Sequence, residues 1–173
     1  MGTFLVLECE KCGYEFDICL GVGMLFPRFY QKTINEIKNS QWGEEIQKFL
    51  IENPDAAFNV ERVFGLCPNC GEYENTLDLT MYLPKEDISQ FEKDNHGRWS
   101  VAFPFSSENY VTKWDLKKYY KRFSRYPHKC KNCGSQLKII NEGCFSGYHE
   151  EFNNLKCPRC KSFMINSGFG NWD

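Results

Sequence analysis

Cys9-Glu10-Lys11-Cys12-Gly13 sets a pattern that returns three times, as Cys67-Pro68-Asn69-Cys70-Gly71, Cys130-Lys131-Asn132-Cys133-Gly134 and Cys157-Pro158-Arg159-Cys160-Lys161. Two cysteines separated by two residues can wrap a tight turn around one ion. A second such pair completes a tetrahedron of sulfurs. Backbone amides within the turn point at the sulfurs and spread their negative charge. The residue after the second cysteine often needs positive φ, which glycine takes at no steric cost. Three of the turns have Gly there, and the fourth has Lys161. Proline follows the first cysteine in two of them, where no amide donor is needed. One redox pair or a few inert buried cysteines would explain one C-x-x-C, not four.

The expected ligands are therefore Cys9, Cys12, Cys67, Cys70, Cys130, Cys133, Cys157 and Cys160, holding two zinc ions. Four thiolates suit zinc and iron alike, so iron at the first site, with a redox role, is the alternative. Shorter loops are easier to close, so the expected grouping is within each half: Cys9, Cys12, Cys67 and Cys70 for one ion, and Cys130, Cys133, Cys157 and Cys160 for the other. At these knuckles and their flanks the chain resembles the zinc-ribbon and rubredoxin-like group. Cys9-Glu10-Lys11-Cys12-Gly13-Tyr14 and Leu66-Cys67-Pro68-Asn69-Cys70-Gly71 carry the likeness, and the second half resembles generic zinc ribbons. The resemblance covers about a third of the chain and implies a local fold rather than electron transfer.

The expected fold class is α+β, small and β-rich: two rubredoxin-like zinc ribbons, the first enlarged by a helical insertion at about 31–53. The first would span 1–98 and the second 99–173. Strands are expected at Thr3–Glu8, Tyr14–Leu20, Val60–Leu66, Thr76–Leu83, Trp99–Phe105, Gln136–Ile140, Glu151–Lys156 and Ser162–Ile165. Ile34 with Ile37, and Ile46 with Phe49 and Leu50, have helical spacing, with Gly43 splitting the helix and Asn53-Pro54 stopping it. Leu77, Leu79 and Met81 alternate like a strand. Asp115–Ser124 fits a helix capped by Asp115 or an edge strand equally well. Met24, Leu25 and Phe26 are expected to pack under the helices, with an exposed partner-binding surface as the alternative, and Gly168–Asp173 to fray.

The chain is 173 residues long with a formal charge of −2. Eight ligating thiolates and two divalent ions would bring the loaded protein to about −6, which weighs against a general electrostatic grip on nucleic acid. One local exception stands out. Lys113–Lys131 holds eight Lys/Arg and one acid, interleaved with Trp114, Tyr119, Tyr120, Phe123 and Tyr126. Basic groups among stacking rings are what single-stranded nucleic acid binding uses, and Lys113, Lys117, Lys118, Lys121, Arg122 and Arg125 are the candidates. The competing reading is a solvated amphipathic element with its rings in the core.

No apolar run nears the ~20 residues that span a bilayer. The opening stretch reads as a strand rather than a signal peptide. Both observations, with ten cysteines, favour a cytoplasmic protein whose thiols bind metal rather than form disulfides. No membrane partner and no small-molecule substrate is evident. Cys19 reads as a buried small residue. Cys144 and His149 share a Gly-rich loop but form no recognisable nucleophile motif, and His96 and His128 lack ligand spacing. The expectation is a non-enzymatic zinc protein that acts as a binding or adaptor module for a protein or nucleic acid.

Overall fold

The computed structural model describes residues 2–85, 110–140, 152 and 154–172. The expected strand Trp99–Phe105, with His96, Cys144 and His149, lies outside these residues. The described part is α+β and β-rich, with three helices and three small antiparallel sheets. Packing divides the chain into two compact units built from alternating segments, where the sequence reading expects contiguous halves. The first comprises Met1–Met24, Glu61–Asp78 and Pro127–Asp173, and the second Leu25–Val60 and Leu79–Tyr126.

The first unit contains two sheets of the same plan. In one, β1 (Gly2–Glu8) pairs antiparallel with β2 (Glu15–Leu20) and with β9 (Ile165–Trp172). In the other, β4 (Arg62–Leu66) pairs antiparallel with β5 (Tyr73–Leu77) and with β8 (Lys138–Ile140). Each is a hairpin whose first strand also takes a third, much later strand on its free edge. Gly21 and Arg62 exchange both backbone hydrogen bonds at 2.9 Å and join the two sheets. Alternation in β1 and β2 turns Leu5, Leu7, Ile18 and Leu20 inward against Phe64, Tyr73, Ile140, Leu155 and Met164. Phe16 meets Phe64 and Tyr73 edge-on at 6.1 and 5.5 Å, a favourable arrangement for aromatic quadrupoles.

The expected fraying at Gly168–Asp173 is corrected for its described residues, 168–172. β9 pairs with β1 from Ile165 to Trp172, with one bulge at Ser167. Its glycines make room for side chains of β1: a Cβ on Gly168 would lie 3.2 Å from Val6, and one on Gly170 2.5 Å from the Phe4 ring. At the strand's end the Trp172 indole N–H is shared between the carbonyls of Thr3 and Leu20, with the Arg62 guanidinium over the ring. A segment tied down by a ladder and a half-buried, doubly shared donor does not fray.

In the second unit α1 (Phe26–Lys38) and α2 (Glu44–Glu52) realise the helical insertion. The first helix starts earlier than its apolar spacing predicts, because Pro27 sits in its first turn, where a missing N–H costs nothing. Met24 and Leu25 are 53% and 60% exposed, so the expectation that they pack under the helices is overturned; only Phe26 does, edge-on to Tyr30 and Tyr110. Ser40 and Gly43, both at positive φ, form the turn between the helices. The sheet of this unit runs β3 (Ala57–Phe58), β6 (Met81–Pro84), β7 (Tyr120–Ser124). The strand expected at Thr76–Leu83 is split in two, for Leu79 adopts φ 52° and ends the alternation between β5 and β6. The ambiguous segment is both things in turn: α3 (Lys113–Tyr119) runs directly into β7. Its cap is Thr112 rather than Asp115. The Thr112 hydroxyl oxygen accepts from the Asp115 amide, and the Asp115 carboxylate accepts from the Thr112 amide, a reciprocal capping box.

Candidate metal centres

The four C-x-x-C turns share one backbone geometry. In each, the amide of the first cysteine donates to the carbonyl five residues on: Cys9 to Tyr14, Cys67 to Glu72, Cys130 to Ser135 and Cys157 to Ser162, at 2.8–2.9 Å. The amide four residues after the first cysteine donates back to its carbonyl, from Gly13, Gly71, Gly134 and Lys161. Those four residues have φ of 67, 79, 73 and 62°. The residues flanking each turn pair across it, as Glu8 with Glu15, Leu66 with Tyr73, Lys129 with Gln136 and Lys156 with Phe163. The glycine requirement read from the sequence is thus met in three turns. Lys161 accepts the same left-handed conformation despite its Cβ.

The grouping of the turns differs from the expectation. Cys9 and Cys12 stand with Cys157 and Cys160, and Cys67 and Cys70 with Cys130 and Cys133, the sulfur atoms of each group lying within 4.8 Å of one another. The strand ladders cause this. β1 leads into the first turn and β9 out of the fourth, and their register sets Glu8 opposite Ile165. β4 leads into the second turn and β8 out of the third, with Leu66 opposite Lys138. The two centres are therefore nested in the chain, an inner pair of turns enclosed by an outer pair.

Within each centre the first cysteine of one turn meets the second of the other. Sulfur separations are 3.3 Å for Cys9–Cys160 and 3.6 Å for Cys12–Cys157. They are 3.4 Å for Cys67–Cys133 and 3.7 Å for Cys70–Cys130. A disulfide would need about 2.05 Å. A tetrahedron with metal–sulfur bonds of about 2.3 Å has edges of about 3.8 Å, so the thiol positions fit an ion at their centroid. The first cysteine of every turn is buried, whereas Cys12 and Cys133 are exposed and Cys70 and Cys160 half-buried. Cys9 and Cys157 belong to the apolar core of this unit, and Cys67 and Cys130 pack with Leu137 and Ile139.

The thiols of each group do not ionise alike. Hydrogen bonds from the Ser135 hydroxyl and amide bring Cys133 down to about 5, and the Ser162 amide and hydroxyl bring Cys160 down to about 6. Desolvation pushes Cys130 up to about 12. The Tyr14 backbone favours the Cys12 thiolate, but desolvation and the Cys157, Cys9 and Cys160 sulfurs outweigh it and raise Cys12 to about 12. Amides and hydroxyls thus favour the thiolates of Cys133 and Cys160, whereas Cys130 and Cys12 are held toward the protonated form. Four thiolates so close together need a cation between them.

Other side chains brace the turns. The Tyr73 hydroxyl donates to the Lys156 carbonyl at 2.8 Å, and Lys161 Nζ donates to the Cys70 carbonyl at 3.0 Å, linking the inner and outer turns. Glu74 accepts from the Lys131 amide at 2.7 Å. The Arg159 guanidinium lies over the Tyr14 ring. None of these was legible as a site residue in the sequence, because each depends on the nesting. His128 is buried, its Nε2 3.0 Å from the Asp78 carbonyl and its Nδ1 near the Thr76 hydroxyl; burial lowers its pKa. It braces the segment before Cys130 and belongs to neither sulfur group. Cys19 is half-buried, its amide donating to Asn75 Oδ1, and it also belongs to neither group.

The basic segment divides between the two units. Lys117, Lys118, Lys121, Arg122 and Arg125 are exposed and Lys113 is half-buried, all in the second unit. Of the rings expected in the core, Tyr120 is buried, but Trp114 and Phe123 are 80% and 59% exposed. Among the described residues no helix is long and apolar enough to cross a membrane. No family model matches the chain, and neither a curated protein nor a solved structure matches it.

Proposed function

We propose that this protein is a non-enzymatic zinc protein whose two four-cysteine centres hold its first unit together, so that the chain acts as a binding or adaptor module. One observation carries this reading: the eight thiols converge in two groups of four, each within 4.8 Å. Four protein ligands complete a tetrahedral shell and leave no position for a substrate or an activated water, which is the mark of a structural rather than a catalytic site. Zinc fits the all-sulfur donor set, and with no redox chemistry it suits sites whose role is to fasten strands.

The centres also supply what the sheets lack. β8 has three residues, and a strand this short gains little from pairing alone. A structural zinc site contributes of order 10 kcal/mol of folding free energy, comparable to the whole stability of a typical domain. Elemental analysis of the native protein should return two zinc ions per chain. Complete chelation should abolish the cooperative melting of the first unit. Iron with a visible charge-transfer band would replace zinc by the redox reading, and an unchanged melt after chelation would remove the structural role.

A further inference from the structure

The second unit contains none of the eight grouped cysteines, yet it carries a surface that solvation alone does not explain. In α3, Trp114, Lys117 and Lys118 stand at i, i+3 and i+4, the spacing that puts helical side chains beside one another. Trp114 is 80% exposed, and Lys117 Nζ lies 5.7 Å from its ring centroid. The helix passes without a linker into β7, where Lys121, Arg122 and Phe123 are all exposed. Phe123 stacks one face on Phe49 at 4.9 Å with an interplanar angle of 24°, and still keeps 59% of its surface in solvent. The one acid in the segment, Asp115, is engaged at the start of α3, where its carboxylate accepts from the Thr112 amide and hydroxyl.

Two ordinary explanations account for parts of this surface. Cations on β7, the last strand in its sheet order among the described residues, would discourage edge-to-edge association. That function is poorly served by an exposed Phe on the same strand and an exposed Trp one helix away. Rings interleaved with charges would serve the core if they were buried, as Tyr120 is. Trp114 and Phe123 are not.

Flat, exposed π-faces beside cations match the chemistry of unpaired bases on a phosphate backbone. We propose that the α3–β7 face binds single-stranded nucleic acid, with bases stacking on Trp114 and Phe123 and phosphates meeting Lys117, Lys118, Lys121 and Arg122. Paired bases keep their faces within the duplex, so a duplex would gain only the phosphate contacts. The chain's net negative charge confines the attraction to this face and makes it sensitive to salt.

The test uses the full, metal-loaded chain and fluorescent single-stranded RNA and DNA of mixed sequence, about 16 nucleotides long. Anisotropy titrations would run between about 50 and 200 mM salt. Saturable binding is expected, weakened about tenfold or more by Trp114→Ala, the loss typical of one stacked base. Combined Lys117→Gln, Lys121→Gln and Arg122→Gln should reduce the slope of log affinity against log salt by about 2, at roughly 0.7 per lost phosphate contact. Because Trp114 is so exposed, its replacement leaves the fold intact, which unchanged melting and metal content would verify. Full affinity in Trp114→Ala, or no saturation at the lowest salt, overturns the proposal. So does competition by polyglutamate as effective as that by unlabelled oligonucleotide, which would point instead to an acidic protein partner.

Discussion

Replacing Cys157 and Cys160 with serine separates the nested grouping from the grouping by halves. In the nested arrangement these two residues complete the centre begun by Cys9 and Cys12. The double variant should bind one zinc instead of two. Its newly free thiols should be Cys9 and Cys12, with Cys67, Cys70, Cys130 and Cys133 still protected. A site of this kind is worth of order 10 kcal/mol, against typical domain stabilities of 5–15 kcal/mol, so the sheet of β1, β2 and β9 should lose cooperative structure rather than merely soften. The assay is pulsed maleimide labelling of zinc-loaded wild type and variant, read by peptide mass spectrometry, with zinc quantified in parallel. Cys19, half-buried in β2, should label faster in the variant as that sheet opens. Protection of Cys9 and Cys12 together with labelling of Cys130 and Cys133 would refute the nested reading.

Gly170→Val should force the Phe4 ring aside, since a Cβ there meets it at 2.5 Å; overpacking of this kind costs about 1–3 kcal/mol, and chelator competition should show the outer zinc leaving faster with the inner one unaffected. Lys161→Gly should stabilise the protein by up to about 1 kcal/mol, because it relieves a side chain at φ 62° at the cost of one exposed hydrogen bond; a lower melting temperature would contradict this. Burial first, and then the Asp115 and Asp55 carboxylates, raise Tyr120 from 10.0 to about 12. A raised pKa means that this contribution is complete below pH 10 and is lost as pH climbs through about 12, by at most about 2.7 kcal/mol and by less once solvent screening is counted. Tyr120→Phe should flatten that part of the alkaline stability profile, as followed by melting against pH.

The individual turns were legible in the sequence, down to the positive φ that favours Gly13, Gly71 and Gly134, because that geometry is local. Their grouping was not. The loop argument for pairing within halves rests on a weak term, since doubling a loop costs only about 0.6 kcal/mol. Nesting therefore carries a penalty of roughly 1–2 kcal/mol, which a ladder running from Gly2↔Trp172 to Glu8↔Ile165 easily outweighs. The decisive strand was hidden in Gly168-Phe169-Gly170, where glycines that suggest a loose end are the holes into which Val6 and Phe4 fit. The α3–β7 junction was ambiguous for a related reason: the segment holds a helix and then a strand, and a single periodicity describes neither.

The nested order also sets a timetable for synthesis. The inner centre can close once Cys133 has left the ribosome, whereas Cys12 must wait for Cys157, which is 145 residues further on. At about 5–20 residues per second that wait is roughly 7–30 s, during which the nascent chain displays two unpartnered thiols. Any product that stops short of the fourth turn would keep them, together with an unpaired β1 edge, and would carry on its surface the features that mark a chain for degradation.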